Sequence, residues 1–193
     1  KKWSVNVIKN TTLKIYMRKM VLTGGACSGK TTLVNELKRR GYNVLEEVAR
    51  QVLEELGTPS NLDEWAALES EIYQRQVSNE ERVDRQSGLV FLDRGIGDID
   101  AYMRHHFDQP SIDVTKAKIH RYDSIFLLER LPFEDDGLRV EVGDDEASEI
   151  HQKIIDSYHS MGYTTIQIPS FDAPKDVAIK QRADLILEYL NNG

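Results

Sequence analysis

The sequence predicts an α/β fold, a parallel sheet of about five strands with helices on both faces, and three observations carry that expectation. Short apolar runs alternate with stretches of helical periodicity along most of the chain, the pattern that builds strand–helix–strand units. The run at residues 89–92 is apolar at every position, as in a central strand covered on both sides. A glycine-rich turn follows the first clear strand and opens an amphipathic helix, a junction at which parallel sheets commonly bind phosphate.

The elements follow in order. A strand at 19–23 runs into the glycine-rich turn, and a helix over 30–40 places Leu33, Val34 and Leu37 on one face; Gly41 is a natural stop. A strand at 43–46 leads to a helix carrying Ala49, Val52, Leu53 and Leu56, which ends at Gly57. Asn61 and Glu64 have the spacing of a capping box, and the long helix they open carries Trp65, Leu68, Ile72, Gln76 and Val83 at helical spacing. The apolar 89–92 strand terminates in Asp93, and helices are expected near 100–106 and 115–121. Strands at 124–128 and 164–168 complete the sheet, and a helix over 175–190 covers it with Val177, Ala183, Ile186 and Leu190. Residues 129–147 are polar, highly charged and aperiodic; a stretch of that length in a compact domain reads as a lid. Residues 1–16 alternate weakly and read as an N-terminal extension, an edge strand or a foreign segment, outside a single domain at 17–193.

Composition narrows the function. At 193 residues the chain has the length of one sizeable core. A net charge of -7 disfavours non-specific binding to nucleic acid, which requires a basic face. No apolar run approaches the roughly 20 residues that span a bilayer. Cys27 is the only cysteine, so no intrachain disulfide can form, and a cytoplasmic setting is the expectation. No structural zinc is expected from one cysteine and five histidines without ligand spacing.

The chemistry is concentrated at Gly24-Gly25-Ala26-Cys27-Ser28-Gly29-Lys30-Thr31, which fits G-x-x-x-x-G-K-[ST]. Its glycines let the backbone wrap around phosphate, and the following helix, beginning with Lys30, Thr31 and Thr32, presents the positive end of its dipole. Lys30 can reach the β- and γ-phosphates and the Thr31 hydroxyl can ligate magnesium. Such a match arises by chance in roughly one in a hundred chains of this length, but here it also sits between an apolar strand and an amphipathic helix. The expected architecture is therefore a three-layer P-loop NTPase. Asp93 ends a buried strand on the side where ligands gather in α/β sheets. It can hold a magnesium-bound water or orient an attacking hydroxyl, the bland alternative being a surface or capping Asp.

The segments VLTGGACSGKTTLVNEL, LEEVAR, FLDRGIGD, YDSIFLLE and DDGLR, in that order, resemble a family of small P-loop AAA-type domains. The family includes the ribosylnicotinamide kinase domain of a bacterial NAD regulator and many predicted ATPases. The resemblance implies a nucleotide-kinase-like fold in which Glu47 accepts hydrogen bonds from acceptor hydroxyls and Arg50 holds an anionic group or that carboxylate. A plain surface ion pair is the competing reading for both. Asp93-Arg94 resembles the acid–Arg pair of nucleoside and nucleotide kinases, with Arg94 clamping a substrate phosphate or neutralising the transferring phosphoryl. Asp98 reads as a helix N-cap. Arg139 matches the family's lid Arg, which would act over the γ-phosphate on closure, and Arg130 is a second candidate.

The leading expectation is a magnesium-dependent kinase that uses ATP, with GTP as the alternative donor, to phosphorylate a small nucleoside-like acceptor. Base contacts are expected near 169–173. The alternative is a regulatory nucleotide switch, although N-K-x-D and D-x-x-G are both missing from the sequence. Neither the acceptor nor the oligomeric state is encoded in a readable motif.

Overall fold

A computed structural model describes residues 17–84, 88–107, 122–132 and 143–192. The expected 115–121 helix, the N-terminal extension and most of the lid lie outside those residues. Among the described residues the elements are β1 Met17–Thr23, α1 Lys30–Arg39, β2 Asn43–Leu45, α2 Val48–Leu56, α3 Leu62–Val83, β3 Gly88–Asp93, α4 Ile96–Phe107, β4 Ser124–Leu128, α5 Asp144–Ser160, β5 Thr165–Ile168 and α6 Lys175–Asn192.

The five strands form one wholly parallel sheet in the order β2-β3-β1-β4-β5. β1 sits at the centre with β3 and β4 on either side, so the turn leaving it opens into the crevice where connections diverge. The register pairs Leu22 with Asp93, which brings Asp93 level with the last turn of backbone before the P-loop.

Alternation along the strands sorts side chains between two layers. Met20, Leu22, Phe91, Phe126 and Leu128 pack under α1 and α6 with Leu33, Leu37, Ala183 and Ile186. Val21, Val90, Leu92 and Ile125 face α4 and α5 with Ala101, Ile150, Ile154 and Tyr158. A third cluster joins α2, α3 and α4 through Val48, Val52, Leu68, Ile72, Ile96 and Ile99. This cluster lies beside the sheet and walls one side of the crevice.

One polar group of residues is buried with the core. Lys19 is 2% exposed and lies 3.6 Å from Glu80 and 3.0 Å from Asp84 at the end of α3. The Tyr122 hydroxyl donates to Glu80 at 2.9 Å and accepts the Ile96 N–H at 2.9 Å. This network joins β1, α3 and the start of α4, and gives the buried Glu80 carboxylate a hydrogen bond from Tyr122 and an ion pair with Lys19.

Two boundaries differ from expectation. α4 begins at Ile96, not near 100, because Gly95 and Gly97 serve packing there and not loop flexibility. A Cβ on Gly97 would lie 2.6 Å from the ring of the fully buried Tyr158. Gly97→Ala should therefore lower stability by about 1–3 kcal/mol, despite the helix preference of Ala, and urea unfolding measures it. Stability equal to the parent would mean that the Tyr158 ring moves aside. α5 begins at Asp144, so the end of the charged 129–147 segment is helical. Asp144, Asp145 and Glu146 occupy its first turn, where the helix dipole favours negative charge.

Candidate active site

The P-loop takes the conformation its sequence permits. Gly24 has φ +140°, and a Cβ there would stand 2.8 Å from the Leu128 carbonyl oxygen. Cys27 also adopts a left-handed conformation, φ 58°. α1 then starts at Lys30 without a side-chain cap, leaving its first N–H groups directed at the space a phosphate would take.

Lys30 is buried and folds over its own loop. Its ammonium donates to the Gly24 carbonyl at 2.6 Å, the Gly25 carbonyl at 2.9 Å and Ser28 Oγ at 3.1 Å. Burial, assisted by Arg94, lowers its pKa to about 8. Thr31 is exposed, and Thr31 and Thr32 both line the cavity described below.

Three residues hold the loop in place: Arg182 and His151, which sequence reasoning did not select, and Arg130, which it offered as a second lid arginine. Arg182 on α6 donates to the carbonyls of Ser28 at 2.6 Å, Pro169 at 2.8 Å and Glu129 at 3.0 Å. It thereby ties the P-loop to the ends of β4 and β5. His151 on α5 accepts the Gly25 N–H through Nδ1 at 3.0 Å, and burial, with Arg130 and Lys30 nearby, lowers its pKa. Arg130 donates to the Ala26 carbonyl at 3.3 Å and pairs with Asp144 at 2.5 Å. Nothing local in the sequence marks Arg182 or His151, because both reach the loop from helices far along the chain.

Behind the loop lies a compact group of charges. Glu47, the N-cap residue of α2, accepts Arg94 Nε at 2.6 Å. Burial opposes ionisation of Glu47, but Arg94 and Lys30 prevail and its pKa is lowered. Arg94 has φ 73°, an uncommon conformation for a side-chain-bearing residue, and its guanidinium also reaches Asp98 at 3.2 Å and lies 5.4 Å from the centre of the Tyr102 ring. The Asp93 carboxyl is buried, and its Oδ1 has no hydrogen-bond partner among the described residues. Burial and the Glu47 charge raise its pKa to about 6, with Lys30 and Arg94 opposing.

Asp98 departs from the expectation of an N-cap. It lies inside the first turn of α4 and reaches back to accept the Gly95 N–H at 3.1 Å. It also accepts the Thr23 hydroxyl at 2.7 Å and the Tyr158 hydroxyl at 2.7 Å. Asp98 thus connects the end of β1, α4, α5 and Arg94.

A cavity of about 900 Å³ runs through these elements. Its lining divides by element into two parts, or lobes, of which the first comprises the P-loop with Ser170, Phe171 and Ala173 after β5, within the segment expected to contact a base. The other lobe is bounded by Glu47, Arg50 and Arg94 near the loop and by Trp65, Tyr102 and His106 further away. Trp65 packs against the α2–α3–α4 cluster and also faces this lobe, stacking on His106 with ring centres 4.2 Å apart. Asp93 does not line the cavity but lies beneath it. Arg139 falls outside the described residues.

The AAA domain family matches residues 19–175 of the chain. Among curated proteins no match is found. The chain is similar to deoxyadenosine kinase from M. mycoides with bound dATP, at 14% identity over 90% of this chain and 99% of that one, TM-score 0.60. It is similar to NadR in complex with NAD and AMP-PNP, at 20% identity and TM-score 0.64, over 90% of this chain and 49% of NadR, so it spans about half the length of that protein. Thymidylate kinase from Ehrlichia chaffeensis matches at 15% identity over 90% of this chain and 98% of that one, TM-score 0.57. These likenesses show a P-loop kinase-like fold. Among the described residues no helix is long and apolar enough to cross a membrane.

Proposed function

Since the chain belongs to the AAA domain family, we propose that within that family it is a kinase transferring the γ-phosphate of ATP to the hydroxyl of a small nucleoside-like acceptor. The observation that carries this reading is the second lobe of the cavity, continuous with the P-loop lobe and walled by α2, α3 and α4. A nucleotide switch needs the first lobe and has no use for a second one. The kinases of similar fold supply supporting analogy.

In this reading the P-loop amides and Lys30 hold the phosphates, and Ser170 and Phe171 border the base. Arg182 and His151 keep the loop in its binding shape. Glu47 accepts a hydrogen bond from the acceptor hydroxyl, Arg50 and Arg94 face the acceptor's polar end, and Arg139 is the lid residue that completes the charge over the γ-phosphate. Thr31 and Asp93 would hold magnesium, and the orphaned Asp93 Oδ1 fits a metal-bound water. The ion's chemistry there would be to neutralise charge on the phosphates. The acceptor oxygen bonds to the γ-phosphorus as the bond to the β,γ-bridging oxygen breaks. ADP leaves, and the hydroxyl proton passes to ionised Asp93 by way of the water that its Oδ1 would hold. Most of the catalysis is positioning and electrostatic stabilisation.

A coupled ADP-release screen against nucleosides, nucleotides and vitamins, with the Lys30→Ala protein as blank, tests the proposal. At least one acceptor should raise ADP release and appear phosphorylated. Slow turnover indifferent to every acceptor would favour the switch.

A further inference from the structure

The far wall of the second lobe carries an acidic side chain that phosphoryl transfer does not use. Trp65, Leu68, Glu69 and Ile72 follow helical spacing along α3, and all four line the cavity. That stripe would serve as an ordinary apolar face but for Glu69. The Glu69 residue is 4% exposed, and the ionisable side chain it faces is His106, whose Nε2 lies 3.9 Å away, beyond hydrogen-bond reach. A carboxyl so placed is costly to the fold unless something else satisfies it. Leu53, Leu68, Ile72 and Ile99 make the surroundings apolar, and the stacked Trp65 and His106 rings add a flat aromatic wall beside it.

We propose that Glu69 is a specificity-determining residue, whose carboxyl accepts a hydrogen bond from an N–H donor on the edge of a planar ring carried by the acceptor. The inference rests on the kinase reading and extends it to the end of the acceptor remote from the reacting hydroxyl. The two acidic residues divide the work along the lobe. Glu47, next to the P-loop, meets the hydroxyl, whereas Glu69 meets the ring edge while Trp65, Tyr102 and His106 flank the ring. Burial raises the pKa of Glu69 to about 8, so in the empty cavity it is largely neutral near pH 7. Its carbonyl oxygen accepts a hydrogen bond in either protonation state. Sites built to pair a polar group reject analogues that lack it far more strongly than apolar pockets reject a change of size.

The test is calorimetric binding to the full chain with AMP-PNP present in saturating amount, so that the donor lobe is occupied. Adenosine is compared with purine riboside, and cytidine with pyrimidin-2-one riboside; each pair differs by one exocyclic amine. The amine-bearing member of at least one pair should bind tenfold or more tightly to the parent, the preference should vanish in Glu69→Leu, and Glu69→Gln should retain part of it. Glu69→Leu should also melt at a higher temperature than the parent, since it removes an unpaired buried carboxyl; a carboxyl with a structural role would give the opposite shift. Equal binding within both pairs, or a preference unchanged in Glu69→Leu, overturns the assignment while leaving the kinase reading intact. Failure of all four ribosides to bind the parent also overturns the assignment, and the ADP-release screen then decides the kinase reading separately.

Discussion

Asp93→Asn is expected to lower acceptor phosphorylation by about 10²–10⁴-fold, the range typical for loss of a positioned acid–base group, while ATP still raises the melting temperature. Either task open to this residue, holding a metal-bound water or taking the hydroxyl proton, requires the ionised carboxylate. Burial and Glu47 push its pKa to about 6, so turnover of the parent should climb as pH rises through 6 and level off above 7. Stability should move the other way. The folded pKa exceeds the usual carboxylate value, so the contribution is complete below about pH 4 and is lost as pH rises through 6. At about 1.4 kcal/mol per pKa unit that is at most about 3 kcal/mol. The Asn variant should accordingly equal or exceed the parent in stability above pH 6, as replacement of a functionally strained carboxyl often does. Denaturant unfolding across pH 4–8, paired with single-turnover rates, separates the two effects. Near-parental activity in the variant would mean that the carboxyl takes no part in transfer.

Lys30→Ala should abolish the thermal stabilisation that ATP confers. A ligand at one hundred times its Kd stabilises by about 2.7 kcal/mol, which in a chain of this size corresponds to about 5–10 °C. Thermal shift with and without ATP reads the difference directly. Because removal of the ammonium also strips partners from the Gly24 and Gly25 carbonyls, Lys30→Met serves as a second variant that retains the packed stem. Both should lose the ATP response while keeping parental circular dichroism. The pKa of about 8 adds a pH signature. Above that pH the empty site holds a neutral amine that must take up a proton as phosphate binds, so ATP affinity should fall as pH rises past 8. An unchanged ATP response in either variant would remove Lys30 from phosphate binding.

The helices and strands were readable because their signals are local. Short apolar runs between stretches of helical period placed all five strands, and Gly41, Gly57 and Asn61 marked helix ends through their own backbone preferences. The capping box was half right. Asn61 accepts the Glu64 N–H, but the Glu64 carboxylate turns to the Ser60 N–H and hydroxyl, because the preceding serine offers two donors. The start of α4 was missed because Gly95 and Gly97 look like turn residues until Tyr158, some sixty positions away, is packed against them.

The P-loop stands at the boundary between what the chain alone determines and what folding decides. Its backbone course belongs largely to the eight residues Gly24–Thr31, since Gly24 and Gly29 take positive φ without steric cost, Cys27 joins them at φ 58°, and the helix N-terminus needs only a following amphipathic run. The Asp93 position at a strand end was likewise readable from an apolar run that stops at a charge. The setting around them was decided by tertiary structure alone. Arg182, His151 and Glu69 appeared in the sequence as unremarkable members of helices, and Asp98 as a helix N-cap. Each acquires its part only because parallel crossovers in the order β2-β3-β1-β4-β5 bring α3, α4, α5 and α6 to one crevice. Which helix face meets the crevice follows from burial of all the apolar stripes at once, and no local spacing encodes that.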